Sequence, residues 1–206
     1  MHLAINGWFW DEPTTGSGQY TKQLAEALDS LDVHLRISLV VPGRISDGHR
    51  QGVDGGQRAA LPGSCKVHPI SNSGTNLGKL RFEQGAFPRA CARLGADVAH
   101  VPYWAPPLRS PVPLVVTVHD LIPLLLPRYR GGALQRLYTA LVSATVRGAS
   151  RVLTDSEASR EDILTHLRLM PERVRAVPLA AADHYGPEPS PDDGAVRARY
   201  SLPERY

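Results

Sequence analysis

The chain has 206 residues, 42% of them apolar, and a formal net charge of +3. That length and composition suffice to bury one substantial core, so a single large domain is expected, and the weak positive charge excludes the dense basic face of a nucleic-acid binder. No run approaches the roughly 20 apolar residues that span a bilayer, and no basic region leads to a cleavage site, so the chain reads as soluble and cytoplasmic. Cys65 and Cys91 stand far apart without a CxxC spacing, which removes a zinc ribbon or disulfide framework and leaves two buried thiols. Arg128, Arg130, Arg136 and Arg147 suit either a solvated helix face or contact with phosphate groups or an anionic membrane surface.

Residues 3–6 form a short apolar run ahead of a Gly-Trp-Phe-Trp loop, the pattern of a buried first strand opening into a cleft. Tyr20, Leu24, Leu28 and Leu31 recur at helical spacing, with Ser17 placed to cap the helix, and residues 36–41 make a second strand stopped by Pro42-Gly43. Residues 43–64 lack periodicity and read as a long loop, followed by a third strand at 65–70. Residues 77–94 are helical in pattern with Pro88 inside, which predicts two short helices or a kink. Strands follow at 98–101 and 114–118, joined by a proline-rich connection that carries Tyr103 and Trp104. Leu134, Leu137, Tyr138, Leu141, Val142 and Val146 mark a long amphipathic helix before a strand at 151–154. Ser156 caps a helix bearing Ile163, Leu164 and Leu167, and residues 174–177 supply the last strand. Strand-then-helix order throughout predicts an α/β, Rossmann-like, doubly wound and mainly parallel sheet. Past Tyr185 the composition turns to Gly-Pro-Glu-Pro-Ser-Pro, a linker pattern, with a short helix at 192–200.

In such sheets ligands bind at the carboxyl ends of the strands. The first candidate there is Gly16-Ser17-Gly18-Gln19-Tyr20, whose glycines either let the backbone approach a phosphate or sugar at a helix start or merely form a βα turn. A dinucleotide fingerprint fails, because Thr21 replaces its third glycine and the second strand lacks the ribose-binding acid. A Walker lysine, a GxSxG elbow and an HExxH helix are likewise missing from the sequence. The second candidate is His119-Asp120, a reactive pair projected into the cleft by a buried strand, although a strand-end histidine also serves to cap carbonyls. His100, at a neighbouring strand end, lines the same cleft in this reading, whereas His2, His34, His49, His68 and His166 show no ligand spacing and no metal site is expected. Tyr103 and Trp104 offer aromatic faces for a sugar ring or plain loop packing. Leu124, Leu125 and Leu126 serve either as core or as a lip touching a membrane.

In order along nearly the whole chain, the glycine turn, Val116-Thr117-Val118-His119-Asp120-Leu121-Ile122-Pro123, Thr154-Asp155-Ser156-Glu157-Ala158-Ser159 with Asp162-Ile163, and Val177-Pro178-Leu179-Ala180 resemble the amino-terminal half of the family 4 glycosyltransferases. That family consists of retaining enzymes of the GT-B fold. The resemblance implies an acceptor-side domain over 1–185, and a linker and short helix over 186–206 leading toward a domain that holds a nucleotide-sugar. It implies metal-independent transfer, without a cofactor, to a glycan or lipid-linked acceptor in a polysaccharide-type synthesis. By position, Gly16, Ser17 and Gly18 approach the donor phosphates or acceptor, His119 touches the transferred sugar, and Asp120 orients His119 or its loop. Tyr20, His100, Tyr103 and Trp104 complete the expected binding set, and the domain alone is expected to be inactive. A GT-B nucleotide-sugar epimerase and a non-catalytic sugar- or nucleotide-binding module are the alternatives.

Overall fold

The computed structural model describes residues 1–12, 14–31, 34–44, 63, 65–181 and 191–203. Its centre is β1 (His2–Asn6), which is buried along its whole length. Successive side chains of a strand point to opposite faces. Leu3 and Ile5 therefore join Ile37, Leu39 and Val41 of β2 (Arg36–Arg44) on one side, while Ala4 enters a larger cluster with Phe82, Phe87, Val101, Val116 and Val152. Burial on both faces is what an all-parallel sheet requires. With β3 (Cys65–Asn72), β4 (Val98–Val101), β5 (Leu114–Thr117), β6 (Arg151–Thr154) and β7 (Val174–Ala176), the sheet order is β3-β2-β1-β4-β5-β6-β7. Each neighbouring pair is parallel, so the doubly wound α/β architecture expected from the sequence is the one observed.

Helix α1 (Gly16–Ser30) departs from expectation at both its start and its buried face. Thr15, not Ser17, is the cap: its hydroxyl accepts the Gly18 amide at 3.1 Å. Gly16-Ser17-Gly18 carries no apolar side chain, so the periodicity registers the helix only from Tyr20. The stripe that turns inward is Gly18, Thr21 and Ala25, whose small side chains let α1 lie close against the loop and sheet. Leu31 is the carboxyl cap and stays exposed.

Strand β2 does not stop at Pro42-Gly43 but runs to Arg44, with Pro42 opposite Ile70 and Gly43 opposite Ser71 of β3. The Arg36 amide faces β1, bonding Met1, and Val40 accepts from Gly7 on the same side. Pro42 continues this alternation beyond the end of β1, where a missing N–H has no partner to lose. Helices α2 (Asn76–Arg81) and α3 (Phe87–Leu94) are joined without a break by a π turn, Phe82–Ala86, in which Phe87 N–H bonds the Phe82 carbonyl. A proline in a helix clashes with the carbonyl four residues earlier, here Gln84, and the widened turn around Gln84 accommodates Pro88 instead of a break.

The remaining helices are α4 (Ile122–Leu125), α5 (Ala133–Thr145), α6 (Glu157–Leu167) and α7 (Asp193–Tyr200). Ser156 caps α6 as expected, accepting from Ser159 N–H at 3.1 Å. Val142, Ile163 and Leu167 seat α5 and α6 on the core, whereas every residue of α7 is exposed. Both thiols are buried, and burial pushes Cys91 up to about 12. Most of residues 43–64, expected as a loop, and residues 182–190, which include the start of the linker expected over 186–206, lie outside the described residues. No helix among the described residues is long and apolar enough to cross a membrane.

The glycine turn supplies a test. A Cβ on Gly18 would run into the backbone carbonyls of Glu12 and Phe9, the latter at 2.7 Å, whereas one on Gly16 meets nothing within 4 Å. Gly18→Ala should therefore cost about 1–3 kcal/mol of stability, and Gly16→Ala should be neutral or stabilising by about 0.5 kcal/mol. Urea midpoints of the two variants measure the difference, and equal shifts would refute the close-approach account.

Candidate functional site

The strand order reverses between β1 and β4, and the carboxyl edge at such a reversal is where sheets of this kind form their ligand crevice. The carboxyl ends of β1, β4, β5 and β6 all reach this edge. Past the end of β5, Val118 N–H still bonds Leu153 of β6 at 2.8 Å, so the backbone stays alongside β6 for one more residue. His119 is thereby set beside Asp155, which follows the last residue of β6. Its Nδ1–H donates to Asp155 Oδ2 at 2.8 Å, and Nε2 lies 3.3 Å from the Pro102 carbonyl oxygen after β4.

Tyr20 reaches over from α1 and stands edge-on to the His119 ring, with centroids 4.8 Å apart and planes at 85°. Its hydroxyl lies 3.2 Å from Thr117 Oγ1, and His100 Nε2 lies 2.9 Å from the same oxygen. Burial first, and the neighbouring His119 second, lower the His100 pKa to about 4, so its ring is neutral. Burial also raises the Tyr20 pKa, keeping a phenol that is available as a donor. Thr117, missed in the sequence, is thus the hub that ties α1, β4 and β5 together beneath His119.

A second polar group lies on the β1 side of the crevice. Glu83, on the π turn, is fully buried and bonds Lys79 Nζ at 3.1 Å, while Tyr138 of α5 donates to it at 3.0 Å. The Lys79 ammonium is ringed by Phe9, Tyr103 and Tyr138, with centroids 5.2, 5.3 and 5.3 Å away. Desolvation raises the Glu83 carboxyl, against the lowering pull of Lys79 and its hydroxyl donors. Tyr103 donates in turn to Asn6 Oδ1 at the end of β1. Buried polar atoms nearly always have partners. The three side-chain atoms that lack one among the described residues are Asn6 Nδ2, Trp104 Nε1 and Thr154 Oγ1, and all three belong to residues at or just beyond the carboxyl ends of β1, β4 and β6.

A family model described as glycosyl transferase 4-like domain matches residues 15–180. The chain belongs to that family. No curated protein matches the sequence significantly. Among solved structures, a sucrose-phosphate synthase from Thermosynechococcus elongatus superposes with a TM-score of 0.59 over 98% of this chain and 53% of its own, at 16% identity. HepE from Anabaena, in complex with UDP and glucose, gives 0.55 over 98% of this chain and 50% of its own, at 14% identity. UDP-GlcNAc 2-epimerase from Methanocaldococcus jannaschii gives 0.50 over 86% and 45%, at 13% identity. The fold is that of one Rossmann-like half of a GT-B enzyme, and the chain spans about half the length of these structures.

For several expected site residues of this glycosyl transferase 4-like domain the structure selects among the roles that the sequence left open. Of the two roles expected of Asp120, orienting His119 or its loop, the structure shows the second: it is exposed, and its carboxylate accepts the Ile122 amide at 2.8 Å, shaping the loop into α4. Asp155 holds the ring instead, because β5 and β6 are neighbours and end level with each other. An acid directly after an apolar strand was the available signal. Gly18 lies close against the backbone of its own loop at Glu12 and Phe9, as the βα-turn reading has it, and exposed Gly16 and half-exposed Ser17 are the open part of the turn. Tyr103 is only 5% exposed, so packing accounts for its ring, whereas Trp104 packs against the core while staying partly exposed. No group of three or more His, Cys, Asp or Glu side chains is gathered as metal ligands would be among the described residues.

The neutral His100 makes stability depend on pH with a definite sign. An unfolded histidine titrates near 6.5, so the unfolded chain binds a proton between pH 6.5 and about 4 that the fold does not. Its contribution is therefore fully present above pH 6.5 and is lost as pH falls toward about 4, on the order of 3 kcal/mol in all. Urea midpoints at about pH 7 and about pH 5 should differ less in a His100→Gln variant than in the parent; an unchanged slope would remove His100 as the cause.

Proposed function

We propose that this glycosyl transferase 4-like domain is the acceptor-side half of a retaining glycosyltransferase that moves a sugar from a nucleotide-sugar to a glycan or lipid-linked acceptor. The observation that carries the reading is the Asp155–His119–Tyr20 arrangement at the crevice of the sheet. Asp155 fixes which nitrogen of His119 carries the proton and where the ring points. Nε2, left without a proton beside the Pro102 carbonyl oxygen, is then an acceptor for a hydroxyl of the transferred sugar. Tyr20 packs edge-on against the ring and is itself held by Thr117, which makes Asp155, Tyr20 and, through Tyr20, Thr117 positioning residues and His119 the contact to substrate.

In this mechanism the acceptor hydroxyl attacks the anomeric carbon on the face from which the nucleotide departs. The bond to the diphosphate oxygen breaks as the bond to the acceptor oxygen forms, and the departing phosphate takes the hydroxyl proton. Stabilising the diphosphate charge is the main electrostatic task. The open α1 amino terminus at Gly16 and Ser17 faces that charge with the positive end of its helix dipole, and a second domain supplies the rest. No metal or cofactor enters the proposal. The structure of HepE with UDP-glucose, at a TM-score of 0.54 and 15% identity, supports a nucleotide-sugar as the donor class. The family match favours transfer over the epimerase reading, although the fold alone accommodates both.

Two outcomes follow. Residues 1–206 by themselves should transfer no sugar above background, and substantial turnover by that chain would overturn the two-half reading. In an enzyme carrying this domain, His119→Ala should lower turnover by about 100-fold or more with an unchanged urea midpoint, and Asp155→Asn should lower it less. Near-normal turnover in the His119 variant would reduce the arrangement to a structural one, and the non-catalytic binding module would then be the better account.

A further inference from the structure

Between Asp120 and Asp155 the sequence has no acidic residue, while it has Arg128, Arg130, Arg136, Arg147 and Arg151. The first three of these arginines fall in residues 126–137, every one of which is exposed. Interleaved with them are large apolar side chains: Leu126 is 47% exposed, Tyr129 56%, Leu134 73% and Leu137 68%. The segment leaves the crevice directly after Asp120, passes through α4 and a short 3-10 turn, and bends at Gly131, where φ is +64°. Helix α5 then returns to the core only in its second half, through Thr139, Val142 and Thr145, so its first turns project. A solvated face is built from polar residues of both signs. This one combines a single sign of charge with contiguous apolar side chains, the composition of a segment that lies in a membrane interface.

We infer that residues 122–137 form a docking surface for an anionic lipid bilayer. Arg128, Arg130 and Arg136 pair with lipid phosphates and headgroup charge, while Leu126, Tyr129, Leu134 and Leu137 sink to the acyl boundary. Charge selects this occupant over the others. A second copy docked through the same patch would set arginines against arginines, and a covering protein segment would have to bring the acids that this surface lacks. The docking itself does not depend on the transferase reading. Only one consequence does: because the surface begins at Ile122, separated from His119-Asp120 only by the buried Leu121, it brings the crevice mouth to the bilayer, where a lipid-linked acceptor resides.

The test is co-sedimentation of the protein with phosphatidylcholine vesicles, with and without phosphatidylglycerol, and it needs no sugar transfer. Binding is expected only with phosphatidylglycerol present. It should fall by tenfold or more in a Leu134→Ser, Leu137→Ser double variant and in an Arg128→Ser, Arg130→Ser, Arg136→Ser triple variant, both with parental urea midpoints because the residues are exposed. Absence of binding would overturn the inference. So would binding that the leucine variant leaves intact, which marks diffuse charge attraction only, or a dimer in size-exclusion chromatography that the leucine variant converts to monomer, which marks a second copy as the occupant. A vesicle-bound protein that transfers no sugar would leave the docking surface standing and count against the transferase alone.

Discussion

The pairing of β1 with β4 is the constraint on which the rest of the molecule depends. The chain builds outward from β1 through β2 to β3, then must cross to the other side of β1 to begin again at β4. That crossing is why the switch in strand order lies at the middle of the sheet and not at its edge, where the loops after β1 and β4 meet through Phe9 and Tyr103. It also forces β1 to be buried on both faces and flanked on both edges, which explains the uninterrupted apolar run that opens the sequence. Everything on the far side, including the level ends of β5 and β6 that join His119 to Asp155, follows from strands added in parallel at fixed spacing.

The architecture was legible because it rests on short apolar runs separated by helical periodicity, and these survive in the sequence as pattern. All seven strands fall where the runs do. What was not legible depends on relations across elements. Asp155 and His119 are 36 positions apart and meet only because their strands are neighbours. Asp120, adjacent in sequence, looks like the natural partner and instead spends its carboxylate on a backbone amide. The sequence leaves the role of Gly18 open for a related reason: a glycine that admits a ligand and a glycine that admits its own chain have the same sequence signature. The extension of β2 past Pro42 was hidden because a proline's cost depends on which edge of the strand it faces.

The crevice is bordered by two polar assemblies of opposite character. On the β5–β6 side the groups are half-exposed and held by single hydrogen bonds, with a neutral histidine and a phenol kept in their uncharged forms beneath. On the β1 side a carboxylate and an ammonium are locked together inside an aromatic wall. An ion pair of this kind, with Glu83 fully buried and Lys79 partly exposed, contributes little net stability, because taking the carboxylate out of water offsets most of the attraction. Its effect here is geometric: it fixes α2, α5 and the loop carrying Tyr103 against one another at the carboxyl end of β1. A rigid wall facing a lightly tethered one is an arrangement in which one partner can adjust while the other sets the register.

The π turn between α2 and α3 has a consequence for how this wall can change. A residue added to a helix advances its phase by about 100°. The turn at Phe82–Ala86 is therefore a phase shifter, allowing α2 to aim Lys79 at the crevice while α3, a few residues on, aims Phe87 and Cys91 at the core. Straightening it into regular α-helix would preserve every hydrophobic contact on one side only by rotating Lys79 and Glu83 out of alignment on the other. The segment is constrained in length as well as at its buried Phe82 and Glu83, so one inserted or deleted residue between Lys79 and Phe87 would uncouple the crevice from the core that supports it.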